Sequence, residues 1–215
     1  ISLAVTTLFW GAGATLQFIV LKWAEHALGL DLTMASVMQA AVALGVAAGA
    51  ISAAVRAPLK KSLSVLPLGV GMGLTTVALA FFNRELLPDV QLHFWVVQLP
   101  LYMLFAYGFM VFIGALAGYF VVPMNALLQH RGYVLLSAGH SIAVQNFNEN
   151  VSVLLMLLFY ALLIRLNLPV PWVIALFGTF VSVSMFLVIL WYRRNQRERD
   201  WTQLIGEPRH DEHHS

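Results

Sequence analysis

Apolar runs of about twenty residues recur along this chain, each closed by a short polar cluster, and that spacing predicts six membrane-spanning helices. The first run covers Ser2 to Leu21, the second Met34 to Val55 and the third Leu63 to Phe82. The stretch from Leu92 to Leu128 is too long for one straight span, since it would reach ~55 Å as a helix. Pro100 divides it into an interfacial segment, HFWVVQL, and a fourth span that begins near Leu101. The fifth span runs from Ser137 to Leu163 and the sixth from Val170 to Tyr192. Between them lie a basic turn, RAPLKKS (Arg56 to Ser62), and a polar loop, Asn83 to Gln91, that contains Pro88. A polar tail follows from Arg193. The fold class is therefore all-α membrane protein, with a bundle over 1–192 and a tail over 193–215.

Within the runs, small residues mark where helices can approach closely. Gly45 and Gly49 are four apart on the second span, as are Gly114 and Gly118 on the fourth. That spacing is the small-xxx-small pattern of intramembrane packing. The third span carries Pro67 and the run Gly69, Gly71, Gly73. Pro123 removes a backbone donor inside the fourth span and predicts a kink there.

Composition agrees with a lipid solvent: 60% of residues are hydrophobic, 10% are charged and the mean hydropathy is +0.80. Soluble domains carry about 25% charge. A net charge of +2, with basic residues gathered at span ends, gives no footprint for nucleic acid. The absence of cysteine excludes disulfides and thiolate metal sites. Arg56, Lys60, Lys61, Arg131, Arg193, Arg194, Arg197, Arg199 and Arg209 fall on one side of the bundle, against Lys22, Arg84 and Arg165 on the other. That bias places both termini in the cytoplasm. The chain opens inside an apolar run at Ile1 with no visible signal peptide, which is the pattern of a piece of a longer protein.

One stretch, Gly118 to Leu155, sets polar groups at membrane depth. Gln145, Asn146, Asn148, Glu149 and Asn150 occupy the first half of the fifth span. Glu149 lies ~18 Å along that helix, near the middle of a ~30 Å hydrocarbon core. An ionised carboxylate there costs ~2.5–3.5 kcal/mol. Gln145 and Glu149 are four apart, as are Asn146 and Asn150, so the group shares one broad helix face. Either this face is the polar wall of a substrate pathway, or its amides join helices at ~0.6–2 kcal/mol each. Asn125 either lines the cavity or satisfies the turn that Pro123 opens. Gln17 is open to the same two readings. Lys22 and Trp23 read as anchors at the far interface. Trp10 reads as packing, and His140 has little claim to a proton relay.

The remaining motif matches carry no chemistry. Asn150-Val151-Ser152 matches a glycosylation sequon but lies inside a span. GAGATL and GVGMGL follow no strand, so neither is a dinucleotide loop. No metal spacing or nucleophile elbow occurs, and no cofactor or enzymatic step is implied.

FWGAGATLQF (Phe9 to Phe18), YFVVPMNALLQHRG (Tyr119 to Gly132) and SAGHSIAVQNFNENVSVLLML (Ser137 to Leu157) resemble the bacterial lysophospholipid transporters of the major facilitator superfamily, in their C-terminal half. The resemblance extends over all six spans. It implies one half of a twelve-helix carrier, with the substrate path between this bundle and an N-terminal six-helix half. The cargo implied is lysophospholipid, chiefly lysophosphatidylethanolamine, moved inward across the bacterial inner membrane by alternating access. The implied downstream partner is an acyltransferase/acyl-carrier-protein synthetase that re-acylates it. On this reading Glu149, Gln145, Asn146 and Asn150 hold the polar headgroup, and Asn125 and Gln17 contribute from neighbouring helices. Two departures stand out: family members carry arginine where this chain has Gln17, and residues 91–100 form an apparent insertion. Two other readings remain open. One is a proton-coupled facilitator of a drug or small polar solute; the other is a non-transporting membrane module that anchors an acyltransferase.

Overall fold

A computed structural model describes residues 2–57, 59–88, 90–94, 97–135 and 138–198. The expected tail beyond 198, with Arg199 and Arg209, lies outside them, as do the side chains of Lys60, Lys61, Arg131, His140 and Arg197. Six long helices dominate the described residues: α1 (Ser2–Leu28), α2 (Leu32–Arg56), α3 (Leu66–Phe81), α4 (Leu101–Leu135), α5 (Ala138–Arg165) and α6 (Val170–Glu198). All six, the third counted from Ser62 with the 3₁₀ turn before it, are long and apolar enough to cross a bilayer, so the chain is an all-α, multi-pass membrane protein.

Local chemistry sets the boundaries. Gly29 takes a left-handed φ of 67° and ends α1, and the Leu30 N–H folds back onto the Ala24 carbonyl at 3.1 Å. Asp31 then caps α2, its carboxylate accepting the Met34 N–H at 2.8 Å. In the tight turn between α5 and α6 the left-handed residue is Asn167, a type that tolerates φ above zero. Pro67 sits in the first turn of α3, where no intrahelical donor is needed. Residues before it adopt a 3₁₀ helix, Leu59–Val65, so the third span starts later as an α-helix than its hydropathy suggests.

Three other boundaries differ from expectation. α1 continues past Lys22 to Leu28, and α4 continues through Pro123 to Leu135. α6 carries on through Arg193 and Arg194 to Glu198, so the bundle-to-tail division at 192 falls inside a helix. The aromatic segment before Pro100 is an antiparallel ribbon, β1 (Gln91–Phe94) with β2 (Val97–Pro100), in which Leu92 faces Leu99. It pairs its backbone within itself, and α4 starts directly after Pro100.

The helices associate chiefly as three pairs: α2 with α4, α3 with α6 and α1 with α5. Exchanging the first three helices for the last three maps α2·α4 onto α5·α1 and returns α3·α6 to itself, the symmetry of two three-helix repeats. Glycine makes the closest pair possible. A methyl group at Gly45 or Gly49 would lie on the carbonyls of Val111 and Ala115, and one at Gly114 or Gly118 on those of Val42 and Val46. The two small-xxx-small motifs therefore face each other, backbone against backbone. α3·α6 repeats the device with Gly73, Gly178 and Ser182. Buried Phe9 stacks on Phe120 at 5.3 Å and joins α1 to α4 through the centre.

Trp23 is no interfacial anchor. It is 1% exposed, and its indole N–H donates to the Phe82 carbonyl at 3.1 Å, closing the far ends of α1 and α3. Burial with a satisfied N–H is the other stable solution for an amphipathic ring. Lys22 does remain exposed, held by Glu25 at 2.9 Å. Trp10 is 42% exposed and touches Phe9 edge-on, so it is not enclosed packing either.

Gly114→Ala should lower stability by about 1–3 kcal/mol, because the added methyl meets backbone that cannot rotate away. Gly108→Ala, on the same helix with open space at its Cβ, should be neutral or slightly stabilising. Thermal unfolding of the two variants in detergent micelles checks the contrast.

A polar cluster between the first and fifth helices

α5 is the least enclosed helix. Only 6% of its most apolar window is buried, against 28–44% in the other five. Its contact with α1 is nevertheless close at one point, where a methyl on Gly11 would strike Ser152 and Met156. Following that stripe backwards in steps of three and four residues leads from Met156 and Ser152 to Glu149 and Gln145. These two half-buried side chains are joined, with the Gln145 amide donating to Glu149 Oε1 at 2.7 Å. The i, i+4 spacing seen in the sequence is thus a real contact.

Asn146 and Asn150 lie about 100° around α5 from that stripe and are exposed. The Asn150 amide donates to the Asn146 carbonyl at 2.7 Å, and Asn148 does the same to Val144 at 2.8 Å. Each amide thereby spends one of its two N–H donors locally and keeps its side-chain oxygen as an outward acceptor. The polar face expected from the sequence is two faces, one towards α1 and one towards the open side.

The α1 side of the cluster contains a residue that sequence reasoning missed. Thr7 lies one turn before Gly11 on the same face of α1, hence towards α5. Its hydroxyl oxygen is buried and has no hydrogen-bond partner among the described residues. No sequence signal separates it from Thr6, whose hydroxyl is spent on the Ser2 and Leu3 carbonyls. Asn125 behaves similarly: its Oδ1 is buried without a partner. Register places Thr7 and Glu149 at one level, with Asn125 lower. Thr7 is ~6 Å below Gly11, and Glu149 is ~4.5 Å below Ser152. Asn125 is ~7.5 Å below Phe120, which stacks on Phe9, itself ~3 Å below Gly11, so it lies one turn lower than Thr7 and Glu149.

Gln17 does not join these groups. It sits on another face of α1, ~15 Å along the axis from Thr7. Its backbone carbonyl accepts from the Gln39 amide at 2.7 Å, which ties α1 to α2. Among the described residues no three His, Asp or Glu side chains come together as a metal site. The cluster can offer one carboxylate with a fixed oxygen, two buried oxygens awaiting donors and a row of outward amide acceptors. Such a set suits a polar, donor-bearing ligand.

Comparison with known proteins agrees with the resemblance read from the sequence. The chain is 37% identical over 195 residues to the lysophospholipid transporter LplT of Escherichia coli O9:H4 (strain HS). It is 39% identical over 197 residues to that of Escherichia fergusonii and 38% over 196 to that of Enterobacter sp. (strain 638). Each alignment covers 90% of this chain and 44–45% of the relative. The chain thus spans about half the length of the curated relatives it matches. No family model matches it. No solved structure matches it.

Replacing Gln145 by Leu strips Glu149 of its amide donor, and a double-mutant cycle with Glu149→Leu should return a coupling of about 0.5–1.5 kcal/mol. Thr7→Val, nearly the same shape, should cost less than about 0.5 kcal/mol, since the hydroxyl it removes has no partner. Unfolding measurements on the purified chain decide both.

Proposed function

We propose that this chain is the C-terminal six-helix half of a lysophospholipid transporter of the major facilitator superfamily, embedded in the bacterial inner membrane with its basic end in the cytoplasm. The observation that carries the reading is the 37–39% identity to lysophospholipid transporters over 90% of the chain. The physics of α5 supports it. A helix with a carboxylate and several amides on its sides, and little of its surface covered, calls for a second bundle with a wet cleft between the two.

In the intact carrier the cleft would take the headgroup of a lysophospholipid. The ammonium of an ethanolamine head would meet Glu149 through Oε2, while Gln145 holds Oε1 in place. Thr7 and Asn125 would accept or donate to the polar backbone of the lipid, and Asn146 and Asn150 would present acceptors from the open side. Gln17, one storey away, would contribute to the pathway rather than to the same headgroup shell. The single acyl chain would stay against the apolar flanks of α5, such as Phe147 and Leu154. Alternating access then follows from rocking of the two halves about a fixed polar layer. Family resemblance extends the path to re-acylation of the product by a cytoplasmic-side acyltransferase/acyl-carrier-protein synthetase.

Uptake of labelled lysophosphatidylethanolamine into vesicles bearing the twelve-helix parent tests the proposal. Glu149→Gln should lower uptake at least about tenfold at every pH, in line with the loss of a charge-assisted contact. Unchanged lipid uptake, with loss only of proton-driven movement of another solute, would reject it in favour of a proton-coupled carrier. Vesicles holding these 215 residues alone should show no saturable uptake.

A further inference from the structure

Between α2, the 3₁₀ helix, α3 and α4 lies a groove of about 600 Å³ at the basic end. Its deeper wall is built from small residues, among them Ala48 and Ala115, beside the glycine contact of α2 with α4. Its rim is polar: Arg56 closes α2, with Ser52 one turn above it, Ser64 across on the 3₁₀ helix and Tyr119 on α4. Arg56 is exposed, and no described carboxylate pairs with it.

The charge pattern around the groove is one-sided. The sequence contains no Asp or Glu from Leu32 to Arg84, nor from Val90 to Asn148, so α2, α3 and α4 carry no acid at all. Lys60 and Lys61 follow Arg56 within the same turn of chain. A cationic rim above an apolar slot, at the end of a membrane span and with no counter-ion among the described residues, is a ready site for an external anion. The groove opens between α2 and α3 on the flank of the bundle, and neither α5 nor Glu149 lines it.

We propose that this groove binds an anionic diacyl phospholipid of the adjoining leaflet, with Arg56 on its phosphate, Ser52, Ser64 and Tyr119 around the headgroup, and an acyl chain along the Ala48–Ala115 wall. Basic pockets between transmembrane helices are a recurrent setting for anionic lipid heads. The site is separate from the transport pathway and does not depend on which cargo that pathway carries.

Native mass spectrometry of the purified chain in detergent micelles, with phosphatidylglycerol and phosphatidylcholine as probes, tests this directly. The wild-type chain should retain phosphatidylglycerol in preference to phosphatidylcholine. Arg56→Gln should weaken that retention about fivefold, and Arg56→Lys should restore most of it. Ala48→Phe keeps the charge but fills the wall of the slot, and should also lower retention. Arg84→Gln, at the opposite end, should change nothing. The proposal is overturned if Arg56→Gln or Ala48→Phe retains the lipid like wild type. It is equally overturned if Arg84→Gln loses as much, or if inorganic phosphate displaces phosphatidylglycerol as well as the lipid itself does.

Discussion

A carboxylate cannot face hydrocarbon without a cost of a few kcal/mol, and Glu149 stands on the helix that the rest of the bundle covers least. That single constraint orders the structure. The bundle answers part of it internally by turning Gln145 and Glu149 towards α1 and pairing them. The Gly11 contact brings α1 close enough to shelter that side, and Thr7 faces the same layer. The exposed side of α5, with Asn146 and Asn150, has no such shelter among the described residues.

The glycine pairs explain how the remaining helices stay rigid around this layer. In a bilayer no hydrophobic effect drives helix to helix, so close backbone approach supplies the association. α2 and α4 meet through four glycines, α3 and α6 through Gly69, Gly73 and Gly178, and α1 and α5 through Gly11 alone. The last contact is the lightest, and it is the one beside the polar cluster. On the proposed function, a bundle that rocks against a partner half would keep its packing firm elsewhere and sparing here.

Much of this was legible in the residues. Gly45, Gly49, Gly114 and Gly118 announced close helix contact through spacing, because a four-residue repeat of small side chains has few other uses inside a span, though not that the two motifs would meet each other. Gly178 and Ser182 carry the same spacing, but a single glycine among apolar residues draws little notice. The Gln145–Glu149 contact followed from helical geometry. The split of the amides onto another face did not, since a run of five polar residues spans too wide an arc for hydropathy to say which side is covered. Trp23 was misplaced for a related reason: beside Lys22 it resembles an interfacial belt residue, and only the tertiary position of the Phe82 carbonyl gives its N–H a buried partner. The ribbon at residues 91–100 was hidden because a short aromatic, β-branched run suits an interfacial segment and a strand equally well.

The central claim is that the open side of α5 faces water in the intact carrier, not lipid. The chain contains no cysteine, so single introduced thiols report cleanly once the partner half is also made cysteine-free. Asn150→Cys and Leu187→Cys, the latter on an exposed apolar position of α6, can be challenged with a membrane-impermeant maleimide in vesicles bearing the twelve-helix parent. The account predicts ready labelling at position 150, protection by lysophosphatidylethanolamine and no labelling at 187. Equal inertness of both thiols would contradict it.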